Sequence, residues 1–472
     1  MKIIGRTTEK DVLQQCLDSK KPEFLAVYGR RRVGKTFLVR EYFGDHIVFS
    51  MTGAIKTSMK RQLKNFDEML EEYSQNPAAV SVDWFEAFRS LKAYIKRLKG
   101  GRKKVIFFDE LPWLATQKSG FVSALDYFWN SFGSARADLL LVICGSATSW
   151  IIDNIIKDRG GLHNRVTRQL WIEPFSLREC EQFYKEKNIE LSRIQIAELF
   201  MIFGGIPYYM DYIEKGLSPE QNIDRIFFKK GAPLANEFSN LYAALFKNPD
   251  NHLKVIETLG KIGSGMTQKE LFAEMKVNTG GRMTKVLEEL EQCGFVRSYQ
   301  DFTKKKNGRY YQLLDFYTLF YLKHIKGRVS PDGKYWQNQS RQGGWHAWNG
   351  LAFERVCVAH VEQIKNRLGI SGVSADISAW RSKHSSPKVQ IDLIINRDDG
   401  IINLCEMKFT EKAFAIDREY DEELLLRRET FREETGTKKA LHITMVTANG
   451  LTSGSYIGMV QAQVLLDDLF TG

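Results

Sequence analysis

Phe24-Leu-Ala-Val-Tyr28, Gly29-Arg-Arg-Arg-Val-Gly34-Lys35-Thr36 and Phe37-Leu-Val-Arg-Glu-Tyr42 follow one another without a break. They read as a buried strand, a glycine loop and the opening turns of a helix. The spacing G-x-x-x-x-G-K-T is that of a phosphate-binding loop. Its glycines let backbone N–H groups close around phosphates, Lys35 reaches the β and γ phosphates, and Thr36 offers a hydroxyl to Mg²⁺. The candidate nucleotide-binding residues are Gly29, Arg30, Arg31, Arg32, Val33, Gly34, Lys35, Thr36 and Phe37.

Such a loop needs a second element, and Lys103-Lys-Val-Ile-Phe-Phe108-Asp109-Glu110 supplies it as a buried strand ending in two acids. Asp109 is the candidate for the Mg²⁺ shell and Glu110 for orienting and deprotonating the attacking water. A third apolar strand, Leu139-Leu-Leu-Val-Ile-Cys144, runs into Gly145-Ser146-Ala147-Thr148-Ser149. Ser146 is the hydroxyl expected to sense the γ-phosphate from the carboxyl edge of a parallel sheet.

The chain is 472 residues long, so two to four domains are expected. Lys plus Arg number 68 against 57 Asp plus Glu, a net +11 that suits a polyanionic partner. The six cysteines, Cys16, Cys144, Cys180, Cys293, Cys357 and Cys405, lie far apart with no Cys-x-x-Cys pair, a spacing that suggests neither a zinc site nor a disulfide framework. The start, MKIIGRTTEK, has no apolar run of signal-peptide length, and no apolar run approaches the ~18 residues of a membrane span, so a cytoplasmic protein without a membrane partner is expected.

Amphipathic stretches from 174 to 245 read as a helical lid, beyond a nucleotide-binding core of 1–173. Residues 246–325 give three short helices and a hairpin around Lys304-Lys305-Lys306, the pattern of a winged helix-turn-helix. Its helix near Gly280-Gly281-Arg282 would face a DNA major groove while the lysines meet phosphate. Residues 326–349, with Trp336, Trp345 and Trp348 among glycines and polar residues, read as a connector to a unit over 350–472. There Val389-Gln-Ile-Asp392-Leu-Ile-Ile395 and Ile401-Ile-Asn-Leu-Cys-Glu406-Met407-Lys408 flank the loop Asp398-Asp399-Gly400. A three-residue hairpin loop pairs Arg397 with Ile401 and sets Asp392 opposite Glu406, with Lys408 on the same face. Two facing carboxylates repel unless a divalent cation bridges them, so the expected chemistry is phosphodiester hydrolysis assisted by Mg²⁺ or Mn²⁺.

The first half resembles the AAA+/STAND group of P-loop ATPases, and more narrowly the archaeal-type ATPase family. Ile4-Gly5-Arg6 with Glu9 is similar to that family's GR-x-x-E box, which packs near the adenine. Gly161-Leu-His-Asn-Arg165 is similar to its arginine motif and Gly204-Gly205-Ile206-Pro207 to its GG-x-P element. The resemblance implies that Arg165, or alternatively Arg168, touches the γ-phosphate, within its own subunit or across to a neighbour. The last 120 or so residues resemble the PD-(D/E)xK nuclease superfamily, although Gln390-Ile391-Asp392 stands where that family has proline and aspartate. That resemblance makes Asp392, Glu406 and the Met407 carbonyl metal ligands, Lys408 the water-orienting base and Glu354 an accessory acid.

The implied whole is a multidomain α/β protein: a parallel P-loop sheet, a helical lid, a winged helix and a restriction-endonuclease-like domain. ATP and Mg²⁺ are the implied cofactors, DNA or RNA the partner, with homo-oligomers an open alternative. The function read from it is an ATPase whose nucleotide state gates a metal-dependent nuclease. The alternative is a signalling or DNA-binding regulatory ATPase with a catalytically inactive nuclease-like domain.

Overall fold

The computed structural model describes residues 2–471 apart from 117, 158–161, 163, 279, 303–307, 329–332, 340–342, 383, 387 and 453–455, and in 343–347 the backbone only. It divides into two compact units, 1–174 and 175–472. Lys304, Lys305, Lys306, Gly161, His163 and the side chain of Trp345 lie outside the described residues.

The first unit is built on strands β1 (Glu23–Gly29), β2 (Ile47–Thr52), β3 (Lys104–Asp109), β4 (Leu139–Gly145) and β5 (Arg168–Ile172). They form one parallel sheet in the order β2-β3-β4-β1-β5. Every residue of β1, β3 and β4 is buried, as parallel strands covered on both faces require, which is why the three read as unbroken apolar runs. Asp83 caps the helix Trp84–Arg97 by accepting from the Glu86 N–H, and Trp84, Phe88, Leu91 and Ile95 form its buried stripe. Trp84 meets Phe121 edge-on at 4.7 Å and Phe66 at 5.9 Å within an apolar cluster on that sheet.

In the second unit the helices Leu177–Glu186 and Arg193–Phe203 each open with a capping box, Ser176 with Glu179 and Ser192 with Gln195. Gly205 at φ 66° presses so closely on the Phe175 backbone that a Cβ would lie 2.0 Å from its carbonyl oxygen, and the Phe175 N–H donates to the Gly205 carbonyl. That approach is the local reason for the second glycine of the GG-x-P element. The stretch read as a separate lid is built into the same unit as the chain's far end. Phe200 packs on Phe316 at 5.2 Å and on His360 at 5.3 Å, and Arg193 pairs with Asp467 at 3.2 Å.

The helices Asp250–Lys261, Gln268–Glu274 and Gly281–Gln292 follow, with β6 (Met266–Thr267) after the first and the hairpin β7 (Val296–Gln300) and β8 (Arg309–Leu313) after the third. The three strands pair antiparallel in the order β6-β8-β7. The region 326–349 corrects the sequence reading: instead of a bare connector it holds the helix Tyr335–Gln339 and the start of the helix Gly343–Ala359, which runs through the expected boundary at 350. Trp336 and Trp348 are buried around Phe320 at 4.9 and 5.7 Å. Their burial is supplied by tertiary neighbours, which local periodicity does not encode.

The last sheet is mixed: β9 (Ala375–Arg381), β10 (Gln390–Arg397), β11 (Ile401–Lys408), β12 (Ala440–Thr447) and β13 (Val460–Leu465), in the order β13-β12-β11-β10-β9. The pairs β9–β10 and β10–β11 are antiparallel; β11–β12 and β12–β13 are parallel, with the helix Arg418–Thr435 crossing over between β11 and β12. No helix among the described residues is long and apolar enough to cross a membrane. All six cysteines are buried thiols outside any disulfide.

His360 makes this unit acid-sensitive. It is buried, its Nε2 accepts the Leu177 N–H at 3.0 Å, and its Nδ1 donates to the Val356 carbonyl at 2.8 Å. Burial pushes its pKa down to about 4. The unfolded chain, at ~6.5, binds the proton that the folded one refuses, so the stability from neutral His360 is intact above that value and lost as pH falls toward 4. The expected loss at pH 4 is about 3 kcal/mol. His324, pushed to about 3 by burial, Arg328 and Lys323, adds in the same direction. Urea unfolding of the wild type and an H360N variant at pH 7, 5.5 and 4.5 checks this: the stability difference between the two should narrow as the pH falls.

Candidate functional site

Three strand ends meet at the carboxyl edge of the first sheet. Tyr28 pairs with Gly145 and Phe108 with Ile143, so the residues that follow β1, β3 and β4 share one edge. Gly29 at φ 140° lies against β5 so closely that a Cβ would sit 2.3 Å from the Ile172 carbonyl oxygen; no side chain fits there. Its N–H donates to Thr148 Oγ1 at 3.2 Å, and the same hydroxyl donates to its carbonyl at 3.1 Å. Thr148 thus pins the loop at its first residue. Sequence reasoning chose Ser146 and passed over Thr148, two residues on in the same polar run.

Arg32 and Gly34 take left-handed conformations and turn the chain into the helix Lys35–Phe43. Lys35 is buried, its Nζ donating to the carbonyls of Gly29 at 2.9 Å and Arg30 at 2.8 Å. Arg30 is also buried, Arg31 and Arg32 are half-buried, Val33 is buried, and Phe37 is exposed on the helix. Four cations therefore gather at one helix N-terminus, the charge distribution a triphosphate needs.

Thr36 Oγ1 donates to Asp109 Oδ2 at 2.9 Å. A hydroxyl and a carboxylate are hard oxygen donors, and this pair fits the protein's share of a Mg²⁺ shell completed by phosphates. Glu110 has a left-handed backbone, φ 47°, and its carboxylate accepts from Ser146 Oγ at 2.8 Å and from the Ser146 N–H at 3.3 Å. Ser146 therefore holds the acid as well as facing the phosphate edge.

Arg6 does something the family resemblance did not imply. Its guanidinium donates to the carbonyls of Val33 at 3.0 Å and Glu173 at 2.7 Å, and pairs with Glu9 at 2.9 Å. The GR-x-x-E box clamps the phosphate loop itself.

Neither candidate arginine joins this site within its own chain. Arg168 pairs in register with Leu25 and bonds Gln15 and Glu23, at the amino-terminal end of β1. The turn bearing Arg165 is tied to the same end, the Thr167 N–H donating to the Phe24 carbonyl at 2.9 Å. Five residue steps along the strand, roughly 16 Å, separate Phe24 from Gly29. Arg165 is exposed there, and Arg168 is half-buried with its guanidinium 3.6 Å from Glu23.

The second candidate site lies on the C-terminal sheet. β10 and β11 pair Asn396 with Ile402 and Leu393 with Cys405, the register expected from the loop, which carries Asp392 opposite Glu406. Met407 is buried on the other face while Glu406 and Lys408 share one side. Glu406 Oε1 lies 3.2 Å from Lys408 Nζ and accepts from the Tyr420 hydroxyl at 2.7 Å; Oε2 pairs with Arg427. Burial alone would raise its pKa, but Arg427 and Lys408 outweigh that and hold it low. Asp392 accepts from Gln390 and is shifted upward by burial and by Glu406. Glu354, on the helix Gly343–Ala359, is pushed up to about 8 by burial first and Asp392 second.

Tyr420 and Arg427 are the residues that sequence reasoning missed. Tyr420, Leu424, Arg427 and Phe431 lie on one helical stripe at spacings of four, three and four, and Leu424 and Phe431 are buried. That period was the available signal.

The donors are oxygens suited to Mg²⁺ or Mn²⁺, but among the described residues no group of three or more His, Cys, Asp and Glu side chains is arranged to hold a metal ion. Arg427 occupies the Glu406 oxygen that a cation would need.

Residues 4–213 match the family described as an ATPase domain predominantly from Archaea. An uncharacterised protein of Methanocaldococcus jannaschii is 23% identical over 418 residues, 86% of this chain and 88% of that one. The fold is similar to a Walker-type ATPase of Pyrococcus abyssi, at TM-score 0.49 and 16% identity over 68% of this chain and 96% of that one. It is also similar to the ORC2 protein of Aeropyrum pernix, at TM-score 0.42 and 11% identity over 69% and 93%. With a complete phosphate loop, an Asp109–Thr36 pair and a poised Glu110 at one sheet edge, the N-terminal part of the chain is an ATP-binding P-loop ATPase domain, similar over residues 4–213 to the predominantly archaeal ones.

Proposed function

We propose that this chain is an ATP-hydrolysing switch coupled to a metal-dependent nuclease-like domain that binds or cleaves DNA, with nucleotide state gating the second site. The observation that carries the hydrolytic part is the Ser146–Glu110 pair beside Thr36–Asp109: a protein that only held nucleotide would need no acid fixed at that edge. Mg²⁺ would be held by Thr36 and Asp109, and Lys35 with the loop amides would hold the phosphates. Arg165, at the far edge of its own sheet, is assigned to the γ-phosphate of a neighbouring copy, which makes the active ATPase a homo-oligomer.

Support for the rest is topological and chemical. Three helices with β6 between the first two and the β7–β8 hairpin at the end follow the order of a winged helix-turn-helix. In the C-terminal domain an acid on β10 faces an acid and a lysine on β11, with Glu354 from the preceding helix. Asp392, Glu406 and the Met407 carbonyl would hold Mg²⁺ or Mn²⁺, and Lys408 would orient the attacking water. Single-stranded DNA and plasmid incubated with Mg²⁺ or Mn²⁺ in nucleotide-free, ATP-bound and ADP-bound protein test the gating. Cutting is expected to differ at least ~10-fold between nucleotide states; equal rates in all three overturn it.

A second reading is favoured by the Arg427–Glu406 pair: a signalling or regulatory DNA-binding ATPase whose nuclease-like domain is inactive. Its signature is ATP turnover without metal-dependent cutting, unchanged by Asp392→Ala.

A further inference from the structure

The β7–β8 hairpin is fastened to the C-terminal sheet beside the acidic site. Asp301, just past β7, forms a parallel bridge with Ala379 of β9, and the Phe302 N–H donates to the Ala379 carbonyl at 3.3 Å. The Phe302 ring meets Phe431 at 4.9 Å, next to Trp380, which meets Phe431 at 5.2 Å. From the other side, Arg381 of β9 donates to the Gly265 carbonyl at 2.9 Å and lies over the Tyr310 ring at 5.1 Å. Arg355, one residue from Glu354, donates to the carbonyls of Leu313 at 3.0 Å and Gly263 at 2.9 Å. A buried guanidinium satisfied by carbonyls of the neighbouring sheet is a costly group to undock.

These fastenings leave a cavity of about 10 Å³ lined by Tyr299, Asp301, Tyr310, Arg381, Gln390 and Asp392. It has room for one water at most, far less than a nucleotide needs. Arg297, Tyr299 and Asp301 alternate along one face of the strand, and the positive charge of Arg297 acts on both Asp392 and Glu354. A cation and an aromatic ring supplied by the hairpin thus stand beside the Asp392 carboxylate.

We propose that the β7–β8 hairpin is an intramolecular cover over the Asp392 carboxylate site, so that the chain as folded holds this site shut and a polynucleotide reaches it only when the hairpin leaves β9. The inference rests on the nuclease-like reading for what is covered, but not for the cover itself. It also gives the winged helix a role other than sequence recognition: the element that grips DNA is the element that must move.

Two release variants of the full chain test it, Phe302→Ala and Arg381→Ala; the second is included because the Phe302 ring is also packed on Phe431. Carbodiimide labelling of Asp392, read by mass spectrometry, reports access without requiring catalysis, and Mn²⁺-dependent plasmid cutting reports function. Folding is checked by circular dichroism. Labelling is expected to accelerate by about tenfold and cutting by about fivefold or more as the open fraction rises. Faster labelling with no cutting by any protein, wild type included, supports the cover and removes the nuclease reading. Unchanged labelling in both folded variants overturns the cover. So does faster labelling with cutting lost relative to an active wild type, since the hairpin would then be part of the active site.

Discussion

Glu110→Gln is expected to bind ATP as the wild type does and to lose hydrolysis by about 10²- to 10⁴-fold, the range for removing a positioned general base. The substitution keeps the shape of the side chain, and its amide oxygen can still accept from Ser146 Oγ, which the carboxylate does at 2.8 Å. What disappears is the ability to take a proton from water. Because Lys35, Thr36 and Asp109 are untouched, the loss should fall on kcat with little change in the Kd for a fluorescent ATP analogue. Phosphate release and equilibrium binding measured on the same preparations decide it. Hydrolysis within twofold of wild type would remove Glu110 from the mechanism, and a matched loss of binding would mean that the left-handed Glu110 backbone is needed to shape the loop.

Lys408→Ala is expected to reduce metal-dependent DNA cutting by about 10³-fold while leaving ATP turnover unchanged. Lys408 Nζ lies 3.2 Å from Glu406 Oε1 and over the Tyr420 ring at 4.8 Å, so its ammonium is held by an anion below and an aromatic face beside it. Its removal deletes the lysine proposed to orient water at that face and leaves Arg427 on Glu406, so the carboxylate is not stranded without a partner. Equal cutting by variant and wild type would exclude Lys408 as the base. If neither protein cuts while ATP turnover persists, the regulatory reading stands, with Arg427 the residue that retired the metal site.

The phosphate loop was legible because its chemistry is local: glycines, lysine and threonine act within eight consecutive residues, and β1, β3 and β4 are buried throughout, with apolar centres, because both sheet faces are covered. The β10–β11 register was legible for a related reason, a loop of countable length that fixes every pair beyond it. What escaped was non-local. Arg6 reaches the Val33 carbonyl 27 positions away, Arg427 reaches Glu406 from a helix whose charges resemble a solvated surface, and the edge at which Arg168 sits is set by where β5 lies beside β1. Trp336 and Trp348 escaped likewise, because aromatic residues among glycines look like a connector until Phe320 is brought to them.

The six buried cysteines give the molecule an internal clock. Burial raises the Cys16 pKa to about 11 and that of Cys405 to about 12, and it lifts Cys144 and Cys357 well above the ordinary thiol value, so thiolate forms only when the surrounding structure opens. Cys16 and Cys144 fall in the first unit and the other four in the second. A single alkylating reagent applied in pulses therefore times the breathing of the two units separately, and ATP should slow the first pair without touching the rest.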